Sequence, residues 1–242
     1  MDQMENQIIT ENELPSIQFK LTDDHRKLIN EIRDRIIILK KNKNLSINLQ
    51  IVPESVSEAF CYIQKLADGS SDVLNLEEIC HIHKLLGCSG KLREPASSWF
   101  DENNIGVNGY NPPTNECIEP LLSEYVKQYL SVKQSDNAFE KICSAYFVFE
   151  QIHPFGDGNG RTGRIICAWM MFKYGYGFLA QYIEKQWGNE NKQHAEAFKS
   201  EIHHYLAWLA HPDYFNGVFN RFYFYFLKEM VSILNQLVGK TS

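Results

Sequence analysis

The sequence predicts a mostly α-helical fold. Apolar residues recur at helical spacing in segment after segment, no alternation of strand with helix is seen, and there is no internal repeat. The chain has 242 residues, enough for one large domain or two small ones. The expected layout is an N-terminal extension over 1–50 with one amphipathic helix, a core over 51–212, and a C-terminal helical segment over 213–242 packed on that core.

Residues 1–20 are polar and are expected to be loosely ordered. A helix follows, with Leu28, Ile32, Ile36 and Leu39 on one face, Asp23 and Asp24 at its start and Lys40 and Lys41 at its end. A second runs from about Glu54 to Asp68, carrying Val56, Phe60 and Ile63 in register. A third begins at Asn75, with Glu78 three residues on in the manner of a capping box, and stops at Gly87. Residues 88–117 are rich in Gly, Pro and Asn and read as a long loop with a short hairpin around Ile105 to Tyr110. Pro120 is placed like a first-turn proline of the next helix. Further helices are marked by Ala138 to Phe149, by Ile165 to Phe172 and by Ala195 to Leu209. Arg221 to Phe226 has strand composition, but its continuation through Met230, Ile233, Leu234 and Leu237 favours helix.

Composition excludes several classes. Hydrophobic residues make up 44% and charged residues 22%, an ordinary globular balance. A formal charge of -6 argues against nucleic-acid and anionic-membrane partners, both of which need a basic face. The longest apolar run, Ile165 to Phe172, is too short to span a bilayer, and the polar acidic start is no recognisable secretory signal. The six cysteines show no CxxC pair and read as reduced core residues of a cytoplasmic protein, with export by a route that needs no cleavable signal left open.

The chemistry concentrates in His153-Pro154-Phe155-Gly156-Asp157-Gly158-Asn159-Gly160-Arg161-Thr162-Gly163-Arg164, between two apolar helical patterns. A glycine-rich loop opening a helix can turn backbone N–H groups towards a phosphate. Arg161 and Arg164, three apart, can both face that anion. Asp157 offers one hard oxygen, enough for Mg²⁺ when phosphates and waters complete its shell. A histidine ordinarily titrates near neutrality, which makes His153 the natural general base. Gly156 and Gly163 carry no expected contact.

Look-alike motifs fail. The literal GxGxxG match at 158–163 follows a helical pattern where a dinucleotide fold needs a strand. A calcium loop would place ligands where Arg161 and Ala168 stand, and no GxxxxGK is present. A plain helix–loop–helix turn does not explain His, Asp, Asn and two Arg arriving together.

This stretch resembles the Fic signature HPFx(D/E)GNGRxxR at every specified position, and the resemblance extends over roughly 50–210. Ile79 to Leu86, followed by Gly90 and Arg93, is similar to the family's LH-bearing helix and what trails it. Asn111-Pro112-Pro113 resembles the end of its flap. The resemblance implies a Fic-type helical bundle with a short β-hairpin flap beside the active-site loop. It implies transfer of AMP from ATP to a Ser, Thr or Tyr hydroxyl of a target protein, with release of pyrophosphate. Position by position, His153 would deprotonate the hydroxyl, Phe155 anchor the loop, Asp157 hold Mg²⁺ and Gly158, Asn159 and Gly160 form the anion hole. Arg161 would bind the β-phosphate and Arg164 the γ-phosphate. In the flap, Ile105, Val107 and Tyr110 are the candidates for clamping the target.

Alternatives on the same scaffold are removal of AMP or transfer of another nucleotide or phosphate group. From a different class comes a non-catalytic toxin–antitoxin or partner-binding module. Many relatives carry an inhibitory [S/T]xxxE[G/N] helix whose Glu pairs with the second motif Arg. Ser98 to Asn103 matches it but precedes the flap, while Ser46 to Gln50 and Ser232 to Gln236 end in neutral Gln. Weak or absent self-inhibition is therefore expected, which leaves room for a separate regulatory protein. His83, in line with Ile79 and Leu86, reads as a packed or hydrogen-bonded histidine.

Overall fold

The computed structural model describes residue 14 and residues 17–41, 47–93, 112–133, 137–188, 192–210 and 220–239. Within them the chain forms α1 (Asp23–Lys41), a single 3-10 turn (Leu49–Ile51), α2 (Glu54–Asp68), α3 (Leu76–Leu85) and α4 (Asn115–Tyr129). There follow α5 (Ala138–Ile152), α6 (Asn159–Lys173), α7 (Gly177–Ala180), α8 (Ile183–Trp187), α9 (Lys192–Ala210) and α10 (Arg221–Gly239). An isolated antiparallel bridge joins Val73 to Ser131.

Local chemistry explains most boundaries. The Asn75 side chain accepts from the Glu78 N–H at 2.9 Å while Glu78 accepts from the Asn75 N–H at 2.7 Å, closing a capping box at the start of α3. α2 ends at Asp68, where the Lys173 ammonium donates to the Ala67 carbonyl and pairs with Asp72 at 2.8 Å. The ambiguous aromatic stretch is helical: Phe222, Tyr223 and Phe226 are buried in α10, as core residues.

α5 and α6 are the centre of the bundle. α5 is buried without interruption from Ile142 to Ile152, and α6 from Thr162 to Met171. α6 packs on α2, α3, α5, α7 and α8, so its N-terminus is held from several sides. Helices sheathed this way cannot reorient independently, and the loop between them inherits that rigidity. α1 lies along α10. Residues 17–20, within the stretch expected to be loose, are tied there: Phe19 meets Tyr223 edge-on at 4.9 Å, and Asn220 and Lys20 exchange two hydrogen bonds.

Two expectations need correction, and a third lies outside the described residues. Pro120 is not in a first turn but in the interior of α4, which starts earlier, at Asn115. Its missing N–H costs one helical bond near the start, while Ile118, Leu121 and Leu122 gain burial. Only Cys143 and Cys167 are buried core thiols, the other four being half-buried; all six are free. The hairpin around Ile105 to Tyr110 lies outside the described residues.

Candidate active site

The site forms where α5 stops and α6 starts. α5 ends because His153 turns left-handed, at φ 47° and ψ 59°, while its N–H still donates to the Phe149 carbonyl at 3.0 Å. Among the described residues it alone has positive φ without being glycine, a conformation that costs an L residue ~1 kcal/mol. Its Nδ1 lies 3.4 Å from the Glu150 carbonyl. With Nδ1–H as donor, the free lone pair is on Nε2. Burial pulls the His153 pKa down to about 4; the Glu150 hydrogen bond opposes this and the Arg93 charge adds to it. The ring is therefore neutral at pH 7.

Phe155 is fully buried, and its ring lies flat on that of His83, with centroids 3.8 Å apart and planes 5° from parallel. The Asn159 side chain staples the loop shut, accepting from the Phe155 N–H at 2.9 Å and donating to the Phe155 carbonyl at 2.8 Å. Asn159 thus gives an anion only its backbone N–H, alongside the other N–H groups of the first turn of α6, which have no helical acceptor. Gly158 caps that turn at φ 70°. A Cβ there would fall 2.7 Å from Cys88 Sγ and 3.2 Å from His83 Nε2, so both conformation and space demand glycine.

His83 is buried and hydrogen-bonded at both nitrogens. The Gly90 N–H donates to Nδ1 at 3.0 Å, so Nε2 carries the proton and donates to the Asp157 carbonyl at 3.1 Å. His83, Cys88 and Asp157 bring one ligand atom each within 4.8 Å of one another. A protonated Nε2 cannot ligate, however, which leaves the Asp157 carboxylate as the hard donor. That side chain is 76% exposed at the mouth of the loop. A single accessible carboxylate fits Mg²⁺ sharing phosphate oxygens and waters better than a closed thiolate site.

The two motif arginines line one cavity of about 410 Å³, together with Ile51, Pro53, Ser55 and Lys185. Arg161 is half-buried and donates to the Leu86 carbonyl at 3.1 Å and to Cys88 Sγ at 3.3 Å. Arg164 is buried and donates to both carboxylate oxygens of Glu184, at 2.7 and 2.8 Å. Burial works against the Arg164 charge, but the Glu184 hydrogen bonds, together with the negative charge that Tyr146, Glu184 and Glu150 can carry, outweigh it and keep the proton on. On the α5 side, the Glu150 carboxyl is raised to about 7 by burial, with the Arg164 charge opposing.

Two residues with a place at this site had not been given roles. Glu184 lies on α8, a five-residue helix too short to show periodicity. Arg93 was visible only as a trailing arginine; it donates from Nε to the His153 carbonyl at 2.9 Å. Gly163, expected to make no contact, lets α5 approach α6: a Cβ there would come within 3.1 Å of the Tyr146, Phe149 and Glu150 side chains. Ile105, Val107 and Tyr110 lie outside the described residues, as do Ser98, Glu102 and Asn103.

The family model for Fic/DOC proteins matches residues 73–171, which span α3 to α6 and hold every residue of the 153–164 loop. Over those residues the chain is similar to Fic/DOC proteins. It is 27% identical over 120 residues to the protein adenylyltransferase Fic of Aedes aegypti, covering 49% of this chain and 23% of that relative. The protein of the same name from Nematostella vectensis is 24% identical over 124 residues, covering 50% and 28%. A Fido domain-containing protein of Dictyostelium discoideum is 36% identical over 67 residues, covering 27% and 47%. The chain thus spans about a quarter of the length of the adenylyltransferases it matches. A crystal structure of a Fic family protein from Desulfovibrio desulfuricans G20 superposes with a TM-score of 0.56 at 15% identity, covering 93% of this chain and 77% of that one. That likeness extends the Fic fold beyond the matched residues. No helix among the described residues is long and apolar enough to cross a membrane.

Proposed function

We propose that this protein is a Mg²⁺-dependent protein adenylyltransferase that moves AMP from ATP to a Ser, Thr or Tyr hydroxyl of a target protein. The reading rests on one juxtaposition: a neutral histidine, with Nε2 free, beside the unpaired N–H groups of the α6 N-terminus and two arginines on one cavity. The relatives named for this activity support it.

In the proposed reaction the target hydroxyl attacks the α-phosphorus, the bond from that phosphorus to the bridging oxygen of the β-phosphate breaks, and pyrophosphate leaves. His153 Nε2 takes the hydroxyl proton. Backbone N–H groups of Asn159 and Gly160, with Gly158 clearing the approach, meet the charge that builds on the phosphate oxygens. Arg161 and Arg164 take the β- and γ-phosphates, each leaving its present partner to do so. Phe155, clamped on His83, fixes the loop so that base and anion hole keep their spacing. Asp157 would hold Mg²⁺, which would supply neutralisation of the nucleotide's phosphate charge.

In this reading residues 51–212 are the catalytic unit, with 1–50 and 213–242 bracing it. Ile105, Val107 and Tyr110 of the flap clamp the target. The protein works in the cytoplasm, on a protein substrate, with room for a separate regulator. Glu184 favours a second reading, removal of AMP, because that reaction needs a carboxylate to position water and Glu184 sits beside the motif. Labelled ATP and Mg²⁺ with a cell lysate test the first reading: wild type should label a protein and His153→Ala should not. Equal labelling by both would overturn it, and release of AMP from a labelled target by wild type alone would select the second.

A further inference from the structure

Arg93 is nearly buried and joins segments far apart in the sequence. Its Nε donates to the His153 carbonyl at 2.9 Å, and its backbone N–H donates to the Pro154 carbonyl at 2.9 Å. The two terminal nitrogens donate to the Asn115 side chain and to the Pro113 carbonyl. One residue therefore fixes two consecutive carbonyls, those of His153 and Pro154, and its fork ties the 113–115 segment to His153.

His153 sits in left-handed backbone, which an L residue leaves unless the surroundings hold it there. The α5 hydrogen bonds arrive from one side only, through its N–H and Nδ1. On the other side its carbonyl is held by Arg93. We propose that Arg93 is a positioning residue for His153: its guanidinium locks the peptide after the base and so sets where Nε2 points. The inference rests on His153 being the base of the proposed reaction. Lysine cannot substitute, because one ammonium cannot meet three acceptors in a planar fan.

The test uses the full chain with Arg93→Lys and Asn115→Ala. Arg93→Lys should lower kcat for AMP transfer roughly 100-fold, the loss expected when a reacting group is misplaced by about 1 Å. Its Kd for Mg²⁺-ATP, read by titration calorimetry, should stay within about 3-fold of wild type, since Arg93 faces the base and not the cavity of the motif arginines. Asn115→Ala, which keeps Arg93 but removes one of its acceptors, should lower kcat by a smaller factor. Added guanidinium ion should restore part of the activity of Arg93→Ala. An unchanged kcat in Arg93→Lys, or a fall in ATP affinity as large as the fall in kcat, would overturn the role. Histidine ring NMR separates this from the reaction itself: in Arg93→Lys the His153 resonances should move while those of His83 stay. Unmoved His153 resonances would sink the positioning role even if the chain transfers AMP, and moved ones would uphold it even if it does not.

Discussion

Glu184 grips Arg164 through both carboxylate oxygens, at 2.7 and 2.8 Å, in a pair of which the arginine side is 3% exposed. A guanidinium held this way has its fork already filled. Nucleotide that reaches Arg164 must displace a carboxylate, and that competition should be measurable. Glu184→Gln should tighten the Kd for ATP by about 10-fold, because Gln competes with a phosphate less well than a carboxylate does. Glu184→Ala should lose about 3 kcal/mol of unfolding free energy, the usual cost of stranding one partner of a buried pair. Calorimetry and urea titration read the two effects, and an unchanged Kd would mean that ATP never meets Arg164.

His153→Ala should lower the rate of AMP transfer by at least about 100-fold, the scale of a lost general base. The pKa of about 4 also predicts the pH profile of wild type. Nε2 is already free throughout pH 6 to 8, so the rate should be flat there as far as His153 sets it. It should fall only as the pH drops towards 4. A limb centred near 6.5 would mean that the ring is more hydrated than its burial indicates.

Gly158→Ala should destabilise the fold by about 2 kcal/mol, from a left-handed φ and a Cβ pressed on Cys88 Sγ. Gly156→Ala, with nothing within 4 Å of its added carbon, is the matched control and should stay within about 0.5 kcal/mol of wild type. Denaturant midpoints measure both.

Glu150 and Glu201 are both raised to about 7, chiefly by burial. A carboxyl whose folded pKa lies above its unfolded value favours folding while protonated. That stability is fully present below about 4.5 and is lost as pH rises through 7. His153 and His194, lowered to about 4 and about 3, act in the opposite sense as pH falls below 6.5. Single variants separate the two. Glu201→Gln should match wild type in melting temperature at pH 5 and exceed it at pH 8, and Glu150→Gln should do the same. In the Glu201→Gln variant the side-chain amide oxygen can still accept from the Phe222 N–H that Glu201 now caps at 2.6 Å. Parallel melting curves from pH 5 to 8 would contradict the assignment.

Helices such as α1 were legible because they bury one continuous face, as with Ile32, Ile36 and Leu39. The capping box at Asn75 was legible because all its partners lie within one turn. The 153–164 loop showed itself because its residues are adjacent in the chain. Glu184 and Arg93 did not, since their meaning lies in contacts 20 and 60 residues away and neither sits in a periodic pattern. Pro120 was misplaced because a proline signals a helix start only when nothing upstream is worth burying, and Ile118 is.

The Arg93 clasp also bears on how such a chain diversifies. Residues 93 and 113 are the two banks of an interval in the sequence, and one guanidinium moors the second bank to the base. Neither mooring uses a side chain from between them, and added chain length of a flexible kind costs only ~0.6 kcal/mol per doubling. The sequence of that interval can therefore be rewritten on its own evolutionary clock, separate from the contacts by which Arg93 holds the His153 and Pro113 carbonyls.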